Sequence, residues 1–168
     1  MASLKKNFVY STLYQILSII LPLITSPYIS RVLGPENVGI YSYTYSIANY
    51  FVLIAMLGFK NYGIRCVAKV REDKEKLSRE FWSVWGLQVI TSTIMLIIYV
   101  VYLATFHPKY WNIAVLQGIY VFSAMSDISW FFFGLEKFKI TTIRNTVIRL
   151  IGVIAIFTFV RNKNDLPI

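Results

Sequence analysis

Two residues of opposite charge, Asp127 and Arg149, stand inside long apolar stretches of the sequence. A charge at the centre of a bilayer costs roughly 2.5–3.5 kcal/mol on insertion scales, so it normally has a partner or a function. At 1.5 Å per residue both would sit about 9 Å deep on neighbouring antiparallel helices. The spacing therefore predicts an Asp127–Arg149 pair, which is either functional or only fixes the register of two helices. Alternatively, Arg149 extends its side chain to the membrane surface.

Polar side chains recur at intervals of three and four residues in four apolar stretches, on one face of each predicted helix. The sets are Ser11, Gln15, Ser18, Pro22 and Thr25; Ser42, Tyr45, Ser46 and Asn49; Trp85, Gln88 and Ser92; and Gln117, Tyr120, Ser123, Asp127 and Trp130. Such faces can simply pack helices together, because small and polar residues allow close approach and hydrogen bonding. Their recurrence favours a bundle that encloses a hydrated cavity.

The sequence contains no arrangement that is typical of an enzyme. We find no nucleotide-binding loop, metal constellation or nucleophile–base set, so no catalytic residue, cofactor or metal site is predicted. Cys66 is the only cysteine, which excludes a disulfide within the chain and a multi-cysteine metal site. The only histidine, His107, stands before Pro108 at the end of an apolar stretch, and we interpret it as interfacial.

The elements that must position these residues are membrane helices. The 168 residues are 57% hydrophobic and 15% charged, whereas soluble chains have about 25% charged residues. Five runs, at 8–29, 40–59, 81–106, 113–133 and 143–160, are long enough to cross a hydrocarbon core of about 30 Å. We therefore predict an all-α membrane bundle in a single domain. The net charge of +9 is assigned to orientation and lipid headgroup contact, and not to nucleic acid.

The distribution of Lys and Arg predicts the orientation of these spans. Thirteen basic residues fall on one side, namely Lys5, Lys6, Lys60, Arg65, Lys69, Arg71, Lys74, Lys76, Arg79, Lys137, Lys139, Arg144 and Arg149. The other side has four, namely Arg31, Lys109, Arg161 and Lys163. Because cytoplasmic loops are enriched in Lys and Arg, the N-terminus is predicted to be cytoplasmic.

Two local features are also predicted. The connection at residues 60–80 is expected to form a short helix along the cytoplasmic surface, since opposite charges at i,i+4 spacing support a solvated helix. The pairs are Arg71/Glu75, Glu72/Lys76, Glu75/Arg79 and Lys76/Glu80. In the first span, Pro22 and Pro27 remove backbone hydrogen bonds and predict a kink.

Three segments resemble the N-terminal portion of bacterial polysaccharide flippases of the Wzx type. They read LPLITSPYISRVLGPENVGIYSYTY at 21–45, LGFKNYGIRCVAKVRED at 57–73, and SDISWFFFGLEKFKITTIRNTVIRLIGVIAIFTFVRNKND at 126–165. The motif Asp-Ile-x-Trp-Phe-Phe-x-Gly-Leu-Glu in the third segment is the most specific. The first segment is shared loosely across the multidrug/oligosaccharidyl-lipid/polysaccharide exporter superfamily.

The resemblance implies a transporter of a dozen or more helices in two related bundles, of which this chain would form the first five helices. Between the bundles, a cationic cavity would pass undecaprenyl-diphosphate-linked oligosaccharide across the bacterial cytoplasmic membrane. Alternation between inward- and outward-facing states would move it, coupled to a proton or sodium gradient through Asp127. The implied partners are this lipid-linked oligosaccharide, membrane lipids, and a polysaccharide polymerase with other assembly proteins.

This substrate suggests roles for particular residues. Amide and hydroxyl groups suit sugar hydroxyls, and aromatic faces suit sugar rings. The substrate path would include Gln15, Arg31, Asn49, Gln88, Gln117, Trp130 and Arg149. The two arginines would meet the diphosphate, because a guanidinium group matches phosphate oxygens in bidentate fashion. Arg31 is alternatively an interfacial anchor beside a turn at Gly34-Pro35.

Three other functions stay open at this point. A drug or small-molecule exporter of the same superfamily would differ in cavity chemistry rather than in fold. A membrane-embedded glycan-assembly enzyme should show a clustered acid/base or metal set, and a purely structural membrane subunit is disfavoured by Asp127 and Arg149. The apolar residues at 166–168 suggest that a further hydrophobic stretch begins there, as in the front part of a longer protein.

Overall fold

A computed structural model describes residues 2–162 and 165–166, and the side chains of 2–11, 13 and 14 lie outside this description. The side chains of Lys5, Lys6, Ser11 and Lys163, used above, are therefore outside the described part. Every regular element in this part is helical: α1 (Ala2–Met56), α2 (Phe59–Val70), α3 (Lys74–Phe106), α4 (Trp111–Ser123), a 3-10 turn (Ala124–Ser126), α5 (Ser129–Gly134) and α6 (Phe138–Phe159). The all-α prediction is confirmed.

Four helical stretches of the described residues are long and apolar enough to cross a membrane. They are Gln15–Val70, Lys74–Phe106, Trp111–Gly134 and Phe138–Phe159. The first has 56 residues; it covers the predicted span at 8–29 from residue 15 onward and the whole of the span at 40–59. Their length and composition identify a multi-pass helical membrane protein. The boundaries of the five spans and the orientation remain predictions.

The connection predicted between residues 29 and 40 is almost entirely helical, with a single break at Gly34. Gly34 has φ 81° and ψ 163°, and it is the only residue inside α1 with non-helical backbone angles. Glycine adopts this conformation readily, whereas other residues are strained there. Pro35 follows at the first position of the next helical segment, where its missing N–H would have no partner in any case. The backbone angles at Pro22 and Pro27 stay helical, so the helix is not broken there, and the kink predicted at these prolines stays a prediction.

The helix predicted across residues 60–80 is wrong in its position. The short helix is α2, which ends at Val70, and Arg71, Glu72 and Asp73 separate it from α3. Asp73 Oδ1 accepts hydrogen bonds from the backbone N–H groups of Glu75 and Lys76 at 3.1 Å each. This N-cap satisfies donors that the first turn of a helix leaves open. The charged pairs that begin at residues 71 and 72 therefore do not lie along one helix.

Backbone contacts divide the chain into two units. We call Met1–Gly39 with Lys137–Ile168 the terminal unit, and Ile40–Glu136 the central unit. In the terminal unit, the hydroxyl of Tyr28 on α1 donates to the carbonyl oxygen of Val160 at 2.9 Å. The ring of Tyr28 lies 4.5 Å from that of Phe157 on α6. These contacts hold α1 against the end of α6.

The central unit has two hydrophobic clusters. One contains the buried residues Ala48, Tyr99, Leu103, Ala114 and Val121, from the second half of α1, from α3 and from α4. The other contains Val67, Val84 and Trp130, from α2, α3 and α5. Each cluster buries side chains from three helices, so the central unit is a small helical bundle with its own packed interior.

Candidate functional site

Gln88 lies at the centre of the polar contacts in the central unit. It stands on α3 and is fully buried. Its Nε2 donates to the carbonyl oxygens of Ala124 at 2.8 Å and Asp127 at 3.1 Å. Its Oε1 accepts from Nε1 of Trp130 at 2.9 Å. Gln88 therefore joins α3 to both sides of the gap between α4 and α5.

That gap corrects the prediction of one continuous polar face from Gln117 to Trp130. The helix α4 ends at Ser123, and α5 begins only at Ser129. The end of a helix leaves carbonyl groups without partners, and a buried unpaired carbonyl is costly where no water reaches it. Gln88 supplies two of the missing donors, which explains how a predicted span can be interrupted here.

Asp127 stands at this gap and is half-buried. Its Oδ1 accepts hydrogen bonds from the backbone N–H of Ser129 at 3.0 Å and from the hydroxyl of Ser129. Aspartate commonly accepts such bonds from the residues that follow it, and they favour the start of a helix. The carboxylate thus has a local structural contact that sequence reasoning missed. The Asp-x-Ser spacing before a short aromatic segment was the available signal.

Trp130 is buried to 1% exposure by packing on two helices. Its ring centroid lies 5.8 Å from that of Phe81 on α3, in a stacked arrangement. Against α2 it meets Gly63, where an added Cβ would lie 2.5 Å from Cε3 of the indole. Trp130 and Gln88, both predicted for the substrate path, are therefore brought into direct contact in the interior of the central unit.

Asn49 belongs to a second polar group, which we call the tyrosine cluster: Tyr41, Tyr45, Asn49 and Tyr120. The hydroxyl of Tyr45 donates to that of Tyr120 at 3.3 Å, and the hydroxyl of Tyr120 donates to Oδ1 of Asn49 at 3.1 Å. The rings of Tyr41 and Tyr45 are stacked, with centroids 5.9 Å apart and planes at 10°. The cluster joins the second half of α1 to α4.

Sequence reasoning found three members of this cluster but missed Tyr41. The positions 41, 45 and 49 follow the four-residue spacing of one helical face, so the signal was present. Tyr41 is 48% exposed. The stacking of this exposed ring on Tyr45, next to the hydrogen bonds of Tyr45, Tyr120 and Asn49, is a feature that only the structure reveals.

The remaining predicted site residues are divided between the two units. Gln117 on α4 is 9% exposed and lies in the central unit. Gln15, Arg31 and Arg149 are exposed and belong to the terminal unit. Because Asp127 and Arg149 belong to different units, the pairing of these two residues stays a prediction.

The turn between α2 and α3 carries charged contacts at the surface. Arg71 forms an ion pair with Glu136 at 2.5 Å, and Lys76 forms one with Asp73 at 3.0 Å. The hydrogen bonds from Lys76 lower the pKa of Asp73 below its usual value. Exposed ion pairs of this kind contribute little to stability. We therefore interpret this turn as a solvated structural feature and not as a binding site.

The described residues contain no group of three or more His, Cys, Asp or Glu side chains that is suited to a metal ion. The polar groups that the structure does bring together are amides, hydroxyls and an indole. These groups exchange hydrogen bonds with neutral polar partners. In the described part of the chain, these groups bond to one another.

Comparison with known proteins supports the sequence resemblance. Two curated relatives, both named “Putative O-antigen transporter”, come from Escherichia coli K12 and Shigella dysenteriae. They are 31% and 25% identical to this chain over 99% and 97% of its length, respectively. The chain spans only 40% and 41% of their own lengths. No solved structure matches the chain with statistical significance.

The family described as polysaccharide biosynthesis protein matches residues 4–168. This match covers nearly the whole chain, including every helix described above except the first two residues of α1. The resemblance to Wzx-type proteins is confirmed at this level. The chain belongs to the polysaccharide biosynthesis protein family.

Proposed function

We propose that this chain is the N-terminal part of a flippase that moves undecaprenyl-diphosphate-linked oligosaccharide across the cytoplasmic membrane of a bacterium. The exported units would be assembled into surface polysaccharide, with a polymerase and other assembly proteins as partners. The family match and the names of the two relatives support a transport role in polysaccharide biosynthesis. The lipid-linked form of the substrate is part of this proposal.

The observation that carries the proposal is the hydrogen-bonded tyrosine cluster within helices that are otherwise apolar enough for a membrane. Hydrocarbon cannot satisfy hydroxyl and amide groups, so polar faces in membrane helices turn towards protein or towards a hydrated path. A lipid-linked oligosaccharide needs such a path for its polar head, while its tail stays in lipid. Asn49 would line this path. Gln117, which stands three residues before Tyr120 in the sequence, would line it as well.

The charged residues would bind the anionic diphosphate and couple transport to an ion gradient. Arg31 and Arg149, both exposed, would bind the diphosphate, since guanidinium groups bind phosphate in bidentate fashion. Asp127 would couple export to a proton or sodium gradient. Gln15 is exposed on the first helical segment, where it would contact the polar head of the substrate.

A deletion experiment tests the proposal in cells. Brief treatment of spheroplasts with sodium periodate on ice oxidises vicinal diols of sugars on the outer face and leaves the inner face intact. In a strain that lacks the gene, we expect the lipid-linked oligosaccharide to accumulate in periodate-resistant form and surface polysaccharide to disappear. The intact gene supplied on a plasmid should reverse both effects.

The same experiment distinguishes the rival exporter. If the deletion strain keeps normal surface polysaccharide and normal periodate sensitivity but becomes sensitive to hydrophobic drugs, the chain belongs to a small-molecule exporter and the proposal is wrong. A strain with normal polysaccharide and unchanged drug sensitivity would contradict it equally.

A further inference from the structure

The tyrosine cluster has polar groups left over after its internal hydrogen bonds are made. Oδ1 of Asn49 accepts from Tyr120, but the amide NH2 of Asn49 donates to no acceptor among the described residues. The hydroxyl of Tyr41 likewise has no hydrogen-bond partner in the described part of the chain, and its ring is 48% exposed. The cluster is thus open at both ends.

These open groups lie along one side of α1. From Tyr41 to Asn49 is eight residues, or about 12 Å of helix. The opposite side carries Tyr43 and Tyr50, which are 57% and 66% exposed. Since amide N–H groups facing hydrocarbon would be costly, the open side of the cluster favours a polar neighbour.

A sugar has the chemistry that matches this surface. One face of a pyranose ring presents C–H groups of slight positive charge, which suit the negative face of an aromatic ring. Its hydroxyls both donate and accept, so they can satisfy an amide N–H and a phenol at the same time. The ring of Tyr41 and the amide of Asn49 offer these two kinds of contact about 12 Å apart along the helix, a separation that suits neighbouring sugar units of one oligosaccharide.

We propose that the tyrosine cluster is the saccharide-binding subsite of this protein. A sugar ring stacks on the exposed face of Tyr41, and the amide NH2 of Asn49 donates to a sugar hydroxyl. The hydrogen bonds of Tyr120 to Asn49 and Tyr45 hold the amide and the second ring in position. This inference rests on the proposed function and assigns its carbohydrate contacts to particular side chains.

Substitutions in the intact protein, expressed in the deletion strain, test the subsite. Tyr41→Leu removes the ring and Tyr41→Phe keeps it, while Asn49→Leu removes the amide. The matched controls are Tyr43→Leu and Tyr50→Leu on the opposite side of the helix. The measurement is the initial rate at which surface polysaccharide appears after induction, divided by the amount of protein in the membrane.

We expect Tyr41→Leu and Asn49→Leu to lower this rate about five- to tenfold, which corresponds to the loss of one good contact. Both controls should stay within about twofold of the wild type, and Tyr41→Phe, which keeps the ring and loses only the hydroxyl, should lie between the controls and Tyr41→Leu. Melting of each purified protein in detergent reveals any loss of folding separately.

Two results would overturn the inference. If the cluster variants export at the rate of the controls per molecule, whether or not their folding is weakened, the cluster packs against other protein and does not bind sugar. In that case, loss of polysaccharide in the deletion strain still supports the flippase. If the deletion strain itself makes normal polysaccharide, both the flippase and its subsite are wrong.

Discussion

Gln88 shows how one side chain can permit an interruption in a membrane helix. Its three hydrogen bonds satisfy the carbonyl groups of Ala124 and Asp127 and the indole N–H of Trp130. The buried carbonyl of Ala124 and the buried indole N–H of Trp130 would otherwise lose their solvation without compensation. The interruption between α4 and α5 therefore depends on the side-chain amide of Gln88.

We predict that Gln88→Met strongly destabilises the protein. The substitution keeps the volume but leaves unpaired the buried carbonyl of Ala124 and the buried indole N–H of Trp130, at about 1–3 kcal/mol each before relaxation, together with the half-buried carbonyl of Asp127. Thr93→Val is the control, because the Thr93 hydroxyl bonds only to the carbonyl of Val89 on its own helix. Melting of the detergent-solubilised protein should show a much larger loss for Gln88→Met. Equal melting temperatures for the two variants would contradict the role assigned to Gln88.

At the scale of elements, α2 and α5 pack closely against each other at two glycines. Gly63 faces the ring of Trp130, and Gly134 faces the side chain of Val67. A Cβ on Gly134 would lie 2.6 Å from Cβ of Val67. Small residues allow backbones to approach closely, which is a common basis for helix association in membranes.

We predict that Gly63→Ala forces α2 and α5 apart and lowers the stability of the protein. The added methyl group would overlap the indole, which Gln88 and Phe81 hold in place. Overpacking of this kind costs about 1–3 kcal/mol. Gly86→Ala on α3 is the control, because its Cβ would meet open space and alanine favours helix by about 1 kcal/mol. Equal stability of Gly63→Ala and Gly86→Ala in a thermal melt would contradict the close packing of α2 against α5.

Periodicity in the sequence was sufficient to predict helices and the polar faces of α1, α3 and α4, because hydrophobic spacing reports local structure directly. Periodicity did not predict where the helices are interrupted. The interruption after Ser123 depends on Gln88, which lies 36 residues before Ala124. A contact of that separation has no local signature.

Competing local signals explain the errors in the loops. Gly34-Pro35 suggested a turn, and the residues on both sides proved helical. Opposite charges at residues 71 and 75 suggested one helix, but Asp73 starts a new helix instead. A capping aspartate and an i,i+4 charge pair occupy the same stretch, and the cap decides where the helix begins.

At the scale of the whole molecule, the uneven distribution of basic residues predicts that the turn between α2 and α3 is cytoplasmic. The test uses Lys69→Cys and Lys109→Cys, both exposed positions, in a Cys66→Ser background. A membrane-impermeant maleimide added to spheroplasts should label position 109 and leave position 69 unlabelled until the membrane is broken. The reverse labelling would overturn the predicted orientation.

The most direct test of the central claim is transbilayer movement of the substrate by the purified, intact protein. Lipid-linked oligosaccharide extracted from the host is reconstituted with the protein into sealed vesicles, with and without a proton or sodium gradient. External periodate then oxidises only the units that reach the outer leaflet. We predict that oxidation proceeds to near completion in vesicles that contain the protein and stops at about half, the outer-leaflet share, in vesicles that lack it. Oxidation that stops at the protein-free level under every gradient would contradict the claim that this family member is a flippase for lipid-linked oligosaccharide.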